Sequence, residues 1–209
     1  MTDGFTIEHA YHAVLQVLIF WMLTTPHEFA HAWVAEKLGD DTPRLQGRVT
    51  LNPLAHVDWI GTVLLPAATV LLGGGFLGWG KPVMTNPMNF KAWRRDILLV
   101  ALAGPGSNIV MAVLLAAIAA FAPPTIAEIA IYACFVSLYL ALFNLLPVPP
   151  LDGSRIWLLS PTLEPVYTTL TRFGFLGLLL LFTTTPIGTY LGSMSEYGAG
   201  TLLGLFRHG

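Results

Sequence analysis

Uncharged apolar runs separated by short polar stretches dominate the 209 residues. Trp59–Gly80, Ile97–Ala127, Ile129–Leu151 and Phe173–Ser195 each reach the roughly 20 apolar residues that a helix needs to cross a bilayer. A shorter run, Ala13–Leu23, leads into a helical continuation, so a first helix is predicted from about Glu8 to Leu38, with Gly39 as its stop. Asp40 to Asp58 is a polar connection broken by Pro43, Gly47, Asn52 and Pro53. Pro66 and Gly73-Gly74-Gly75 interrupt the apolar stretch that follows, and Pro82 and Pro87 oppose a helix over Lys81–Asp96. Ile97–Ala122 is the clearest helix, although Gly104-Pro105-Gly106 interrupts it near its start. A further helix, about Ile126–Leu146, runs into Pro147, Pro149 and Pro150, and Phe173–Leu191 is the last predicted span before a short apolar tail, Thr201–Phe206.

Composition sharpens this picture. Hydrophobic residues make up 55% of the chain and charged residues 11%, against about 25% charged in soluble domains. That deficit excludes a disordered chain and an ordinary water-soluble enzyme. The net charge of -2 gives a nucleic-acid partner nothing to hold. With a mean hydropathy of +0.67, and no polar stretch long enough for a soluble domain, the chain reads as an integral membrane protein. The first twenty residues contain Asp3 and Glu8 but neither Lys nor Arg, so mature sequence rather than a cleaved signal is expected there. The lone cysteine, Cys134, sits midway along an apolar run and is read as a packing residue.

His27-Glu28-Phe29-Ala30-His31 brings candidate chemistry into the first helix. At 3.6 residues per turn, His27 and His31 lie about 40° apart on one face. Two imidazoles so placed can share a zinc ion, with Glu28 beside them as a general base toward water acidified by the metal. At lipid depth such a cluster is costly unless it serves a site; the alternative is an interfacial cluster that reaches out to water. A zinc hydrolase site wants a third protein ligand. Asp96, Glu128, Asp152, Glu164 and Glu196 are the acidic residues after Asp58. Asp152 stands out because the proline run before it frees backbone groups, which is tolerated where a chain lines a cavity. It could equally cap a helix beginning at Gly153-Ser154-Arg155.

H-E-F-A-H, A-G-P-G-S-N (Ala103–Asn108) and N-L-L-P-V-P-P-L-D-G (Asn144–Gly153) together resemble the site-2 protease family, in order and spacing across roughly Thr24–Arg155. Members are zinc metalloproteases that cut transmembrane or membrane-adjacent segments. The resemblance implies one Zn2+ per chain held by His27, His31 and Asp152, with Glu28 as catalytic base. It implies that Asn144 hydrogen-bonds the substrate backbone and that Asn108 is a polar position close to the site. Both asparagines could also serve interhelical hydrogen bonds. Gly104 and Gly106 suit close helix approach. The likeness is nearest to short bacterial-type members, with no PDZ-like insert between the zinc motifs and no regulatory domain expected after the last span.

A shared metal constrains topology. His27 and His31 lie in the second half of the first helix and Asp152 follows the far end of Ile126–Leu146, so those helices must run in the same direction. Ile97–Ala122 then runs the other way, and Trp59–Gly80 cannot cross the bilayer once. It must re-enter, lie along the interface, or cross and return. One side then carries Lys37, Arg44, Arg48, Lys81, Lys91, Arg94, Arg95, Arg155 and Arg172, nine of the ten basic residues, which marks it as cytoplasmic. Lys81–Asn89 reads either as an extended strand at the edge of this region or as a surface loop. The family resemblance suggests that such a strand pairs with unwound substrate. His56, 25 residues beyond His31, could occupy the open metal position at rest or sit near the site, or be an interfacial histidine paired with Asp58 or capping a turn.

The expected protein is therefore an all-α polytopic membrane protein. Three transmembrane helices carry the zinc site, a re-entrant or interfacial segment with short strands lies between the first two, and at least one helix follows. Residues 1–209 form one protease domain, with a catalytic core at about 9–157 and a helical extension at 158–209. The expected activity is intramembrane zinc endopeptidase in the cell (inner or plasma) membrane, with its active site toward the cytoplasm. Its partners are the bilayer and a membrane-protein substrate such as a single-pass regulator, and a homo-oligomer is left open. The competing function is a metal or proton transporter using the same groups as relays. Transporters often show matched halves, and no internal repeat is visible.

Overall fold

The computed structural model describes residues 7–71 and 78–207. It is helical throughout, with no strand among the described residues. Helix α1 (Ile7–Lys37) continues through Pro26 and is followed by a short turn of helix, α2 (Thr42–Leu45). A 3-10 turn (Pro53–Ala55) and a π-helical turn (Trp59–Leu64) lead into α3 (Leu65–Leu71). After a 3-10 turn at Pro87–Asn89 come α4 (Trp93–Phe121) and α5 (Pro124–Asn144). A 3-10 stretch, Asp152–Leu159, precedes α6 (Glu164–Arg172), α7 (Gly174–Thr184) and α8 (Ile187–Arg207).

The first helix forms as its pattern predicts. α4 passes through Gly104-Pro105-Gly106 unbroken, because packing on both sides outweighs two weak helix formers and one lost backbone bond. Small residues let the helices approach closely: Ala112, Ala116, Cys134 and Ala199 form one buried cluster joining α4, α5 and α8. Cys134 Sγ donates to the Ala112 carbonyl at 3.3 Å, as a packing residue should. Ile19 and Leu23 of α1 pack with Met111, Leu115 and Ala133, while Ala35 packs with Val100. Rising residue number in α1 thus meets falling number in α4. Ser137 meets Asn108 and Cys134 meets Ala112, so α5 runs against α4 and along α1. This is the arrangement that a shared metal demands.

Trp59–Gly80 leaves one end of the helix bundle and returns to it. Trp79 N–H donates to the Gly61 carbonyl at 2.9 Å, and Thr62 Oγ1 donates to the Trp79 carbonyl at 2.9 Å. Gly73-Gly74-Gly75, the predicted break, lies outside the described residues. Buried Asp40 ties the end of α1 to the chain before α4, accepting from Thr42 Oγ1 (2.6 Å), Asn86 N (2.7 Å) and Asn89 Nδ2 (2.8 Å). Burial works to raise its pKa, but these bonds hold the carboxyl below its ordinary range.

Two expectations need correction. The strand over Lys81–Asn89 does not form: residues 81–86 carry no regular structure, and the segment ends in the 3-10 turn. Pro82 and Pro87 withdraw two ladder donors, and the neighbouring Pro53–Ala55 turn offers no straight edge. An 80° bend at Phe173 sets α6 off from α7 at the start of Phe173–Leu191. The run itself is not one span, because α7 ends at Thr184 and α8 begins at Ile187. Pro186, unable to donate within a helix, stands in that break. By length and composition α4 and α5 can cross a membrane, as can α6 and α7 if counted as one bent span.

Candidate metal centre

His27 and His31 fall on the buried face of α1, 6% and 7% exposed, so they do not reach out to water. Asp152 is the first residue of the 3-10 stretch after α5, and the cap position before it is held by Leu151. The helix-cap alternative therefore drops out. Instead Asp152 Oδ2 lies 3.2 Å from His27 Nε2 and 3.2 Å from His31 Nε2, while the two Nε2 atoms are 3.0 Å apart. Among the described residues these three side chains form the one group able to hold a metal ion.

The outer nitrogens explain why that group faces inward. His27 Nδ1 bonds Asn108 Oδ1 at 3.1 Å, and His31 Nδ1 bonds the Val100 carbonyl at 2.7 Å. Both oxygens accept, so each Nδ1 carries the proton and each Nε2 lone pair points into the cluster. Two lone pairs and a carboxylate oxygen converge there with no protein donor between them; Asp152 Oδ2 is a buried acceptor without a hydrogen bond. Such a set suits a divalent cation. Metal-bound histidines commonly donate the other ring nitrogen to an oxygen in this way.

Gly104 makes the approach of α4 and α1 possible. A Cβ there would lie 2.4 Å from His31 Nε2 and 2.6 Å from His27 Cε1. Gly106 has nothing within 4 Å, so the close approach expected of both glycines belongs to Gly104 alone. Gly104→Ala should therefore displace the imidazoles. Overpacking costs about 1–3 kcal/mol, and where it falls on the bound state that is roughly 5- to 150-fold in zinc affinity. Competition with a chelating dye measures it, and Gly106→Ala should bind zinc as wild type does.

Glu28, 8% exposed, lies beside the cluster and faces Arg48, whose Nη2 is 4.0 Å from Glu28 Oε2. Asn108 is fully buried, and its contact is with His27. Asn144, at the end of α5, donates to the carbonyl of Leu140 one turn back at 2.9 Å. His56 lies outside the three-residue group, which removes it as a resting ligand in this structure. Its Nε2 instead donates to the Thr50 carbonyl at 2.8 Å, and Asp58 is occupied by the N–H groups of Ile60 and Gly61. Burial pushes the His56 imidazole below its ordinary pKa; the Thr50 bond opposes this and the Arg48 charge adds to it. The sequence reading passed over two participants, Arg48 and the Val100 carbonyl. Neither belongs to a local motif; Arg48 stood out only as a basic residue.

An imidazole pair and a carboxylate around one cation-sized gap, with a glutamate next to the first histidine, define a metallohydrolase centre. The sequence profile described as peptidase family M50 matches residues 120–181. YwhC of Bacillus subtilis, named as a zinc metalloprotease, is 41% identical over 196 residues, covering 87% of this chain and 86% of that protein. Rip2 of Mycolicibacterium smegmatis, also named as a zinc metalloprotease, is 33% identical over 184 residues (83% and 69%). Rip2 of Mycobacterium tuberculosis, so named too, is 32% identical over 201 residues (90% and 76%). No solved structure matches. The chain belongs to peptidase family M50, the site-2 proteases, as a short bacterial-type member; it is a zinc metalloprotease with a Zn2+ cofactor.

Proposed function

We propose that this protein is an intramembrane endopeptidase, cutting transmembrane or membrane-anchored proteins near the cytoplasmic face. The observation that carries this reading is the convergence of His27 Nε2, His31 Nε2 and Asp152 Oδ2 within 3.2 Å. These three would hold the zinc, which when bound acidifies water and polarises the scissile carbonyl. Glu28 takes the proton of the attacking water and passes it to the leaving amine. Asn108 and the Val100 carbonyl keep the imidazoles in the productive tautomer. Asn108 thus acts on the substrate through His27, and Asn144 would have to release the Leu140 carbonyl to meet a substrate backbone. His56 supports the loop beside the base.

Residues 1–209 act as one membrane-embedded domain, the core at 9–157 and α6–α8 as its extension. α1, α4 and α5 are the three spans, and 31 residues make α1 about 46 Å long, more than the hydrocarbon core of about 30 Å. Thr24, Thr25, His27, Glu28 and His31 of its second half are buried, where lipid does not reach. The return of Trp79 to Gly61 supports a segment that re-enters or lies along the interface. Nine of ten basic residues gather at the end bearing the site, which supports a multi-pass protein of the inner or plasma membrane with that end in the cytoplasm.

Cysteines at Asp41 and Lys91 in a Cys134→Ser background should both label from the cytoplasmic side of intact cells. In proteoliposomes the enzyme should cleave a peptide containing a membrane segment, stop on chelation and recover with zinc. Opposite-side labelling, or cleavage confined to soluble peptides, would overturn the reading.

A further inference from the structure

Arg48 is a buried charge beside the site that this mechanism leaves unused. It stands just beyond α2 and is 4% exposed. Its Nη1 donates to the Ala55 carbonyl and its Nη2 to the Lys81 carbonyl, and Nη2 also faces Glu28 Oε2 at 4.0 Å. Lys81 N–H donates in turn to the His56 carbonyl at 3.0 Å. One guanidinium therefore joins the Pro53–Ala55 turn, the backbone returning at residues 79–81, and α1 at Glu28.

That backbone runs against the base. A Cβ on Gly80 would lie 2.4 Å from Thr24 Cγ2 and 3.3 Å from Glu28 Oε1. A buried guanidinium is costly unless it is paired. A planar fork meets two carbonyls while keeping a face toward a carboxylate, which a lysine ammonium does not. The 4.0 Å separation from Glu28 exceeds hydrogen-bond length. It attracts and orients the carboxylate without occupying the lone pair that must receive a proton. The Arg48 Nε makes no hydrogen bond, so the side chain is held by its fork and its charge.

We propose that Arg48 is a positioning residue of the protease: it fixes the Glu28 carboxylate and the 79–81 backbone relative to one another, so that the base meets the substrate's peptide bond in one geometry. This rests on Glu28 being the base. Misplacement of a reacting group by an ångström costs on the order of 100-fold in rate, so the effect belongs in kcat.

The test uses the zinc-loaded full chain and a membrane-segment peptide, with Arg48→Met, Arg48→Lys and Glu28→Gln in parallel. Arg48→Met should lose roughly 10- to 100-fold in kcat, with KM, bound zinc and thermal midpoint as in wild type. Arg48→Lys keeps the charge but not the fork, and should recover only part of the loss. If Arg48→Met does not fold, the kcat of Arg48→Lys carries the test alone. Wild-type kcat in the folded variants overturns the proposal, as does a kcat loss matched by equal loss of zinc or of thermal midpoint, which would make Arg48 purely structural. An inactive Glu28→Gln beside wild-type Arg48 variants sinks this inference and leaves the base intact. A Glu28→Gln enzyme that still cleaves sinks both.

Discussion

Glu28→Gln should be inactive while remaining folded and loaded with zinc. The amide keeps the size and hydrogen-bonding reach of the side chain but cannot take a proton at neutral pH. General-base catalysis contributes about 100- to 10,000-fold, so cleavage of a membrane-segment peptide should fall by at least the lower figure. Zinc content, measured on the same preparation, should stay at the wild-type level because His27, His31 and Asp152 are untouched. The amide also removes the charge facing Arg48, so a modest drop in thermal midpoint is expected. Cleavage above a few per cent of the wild-type rate would assign the base elsewhere.

Asp152→Ala should lose both zinc and activity. Its Oδ2 completes the triangle with the two Nε2 atoms, and two imidazoles alone leave the ion under-coordinated. Loss of an outer partner already costs about 10- to 100-fold in metal affinity; removing a direct ligand should cost at least the upper figure. Dialysis against a weak chelator followed by metal analysis reads this directly, with circular dichroism to show that the helices persist. Stoichiometric zinc of unchanged affinity in Asp152→Ala would remove the aspartate from the centre. The two variants separate the roles, since one loses chemistry with metal retained and the other loses the metal.

Much of the site was legible along the chain because its first half is local. His27, Glu28 and His31 fall within two helical turns, and the periodicity that makes α1 a helix also puts both imidazoles on one face. Asp152 could be picked out by the proline run before it and by its likeness to a family motif. The direction of α4 against α1 and α5 also followed without coordinates, because one ion has to reach three side chains. The C-terminal region was read less well. A hydropathy run takes no account of where a proline turns the chain, so Phe173–Leu191 looked continuous although it breaks at Pro186, between the end of α7 at Thr184 and the start of α8 at Ile187.

What the chain by itself determined is therefore the helical membrane character, the local zinc motif and the sense of the helices around it. Tertiary structure decided which oxygens lock the imidazoles, that Gly104 rather than Gly106 carries the close approach, that His56 props a loop, and that Arg48 reaches Glu28. Apart from the His56–Thr50 bond, 6 positions apart, these contacts join residues separated by 20 to 81 positions. Hydropathy and helical period act over a few residues and leave a trace in the local pattern. A hydrogen bond between distant segments depends on how the whole bundle packs, so no local pattern records it.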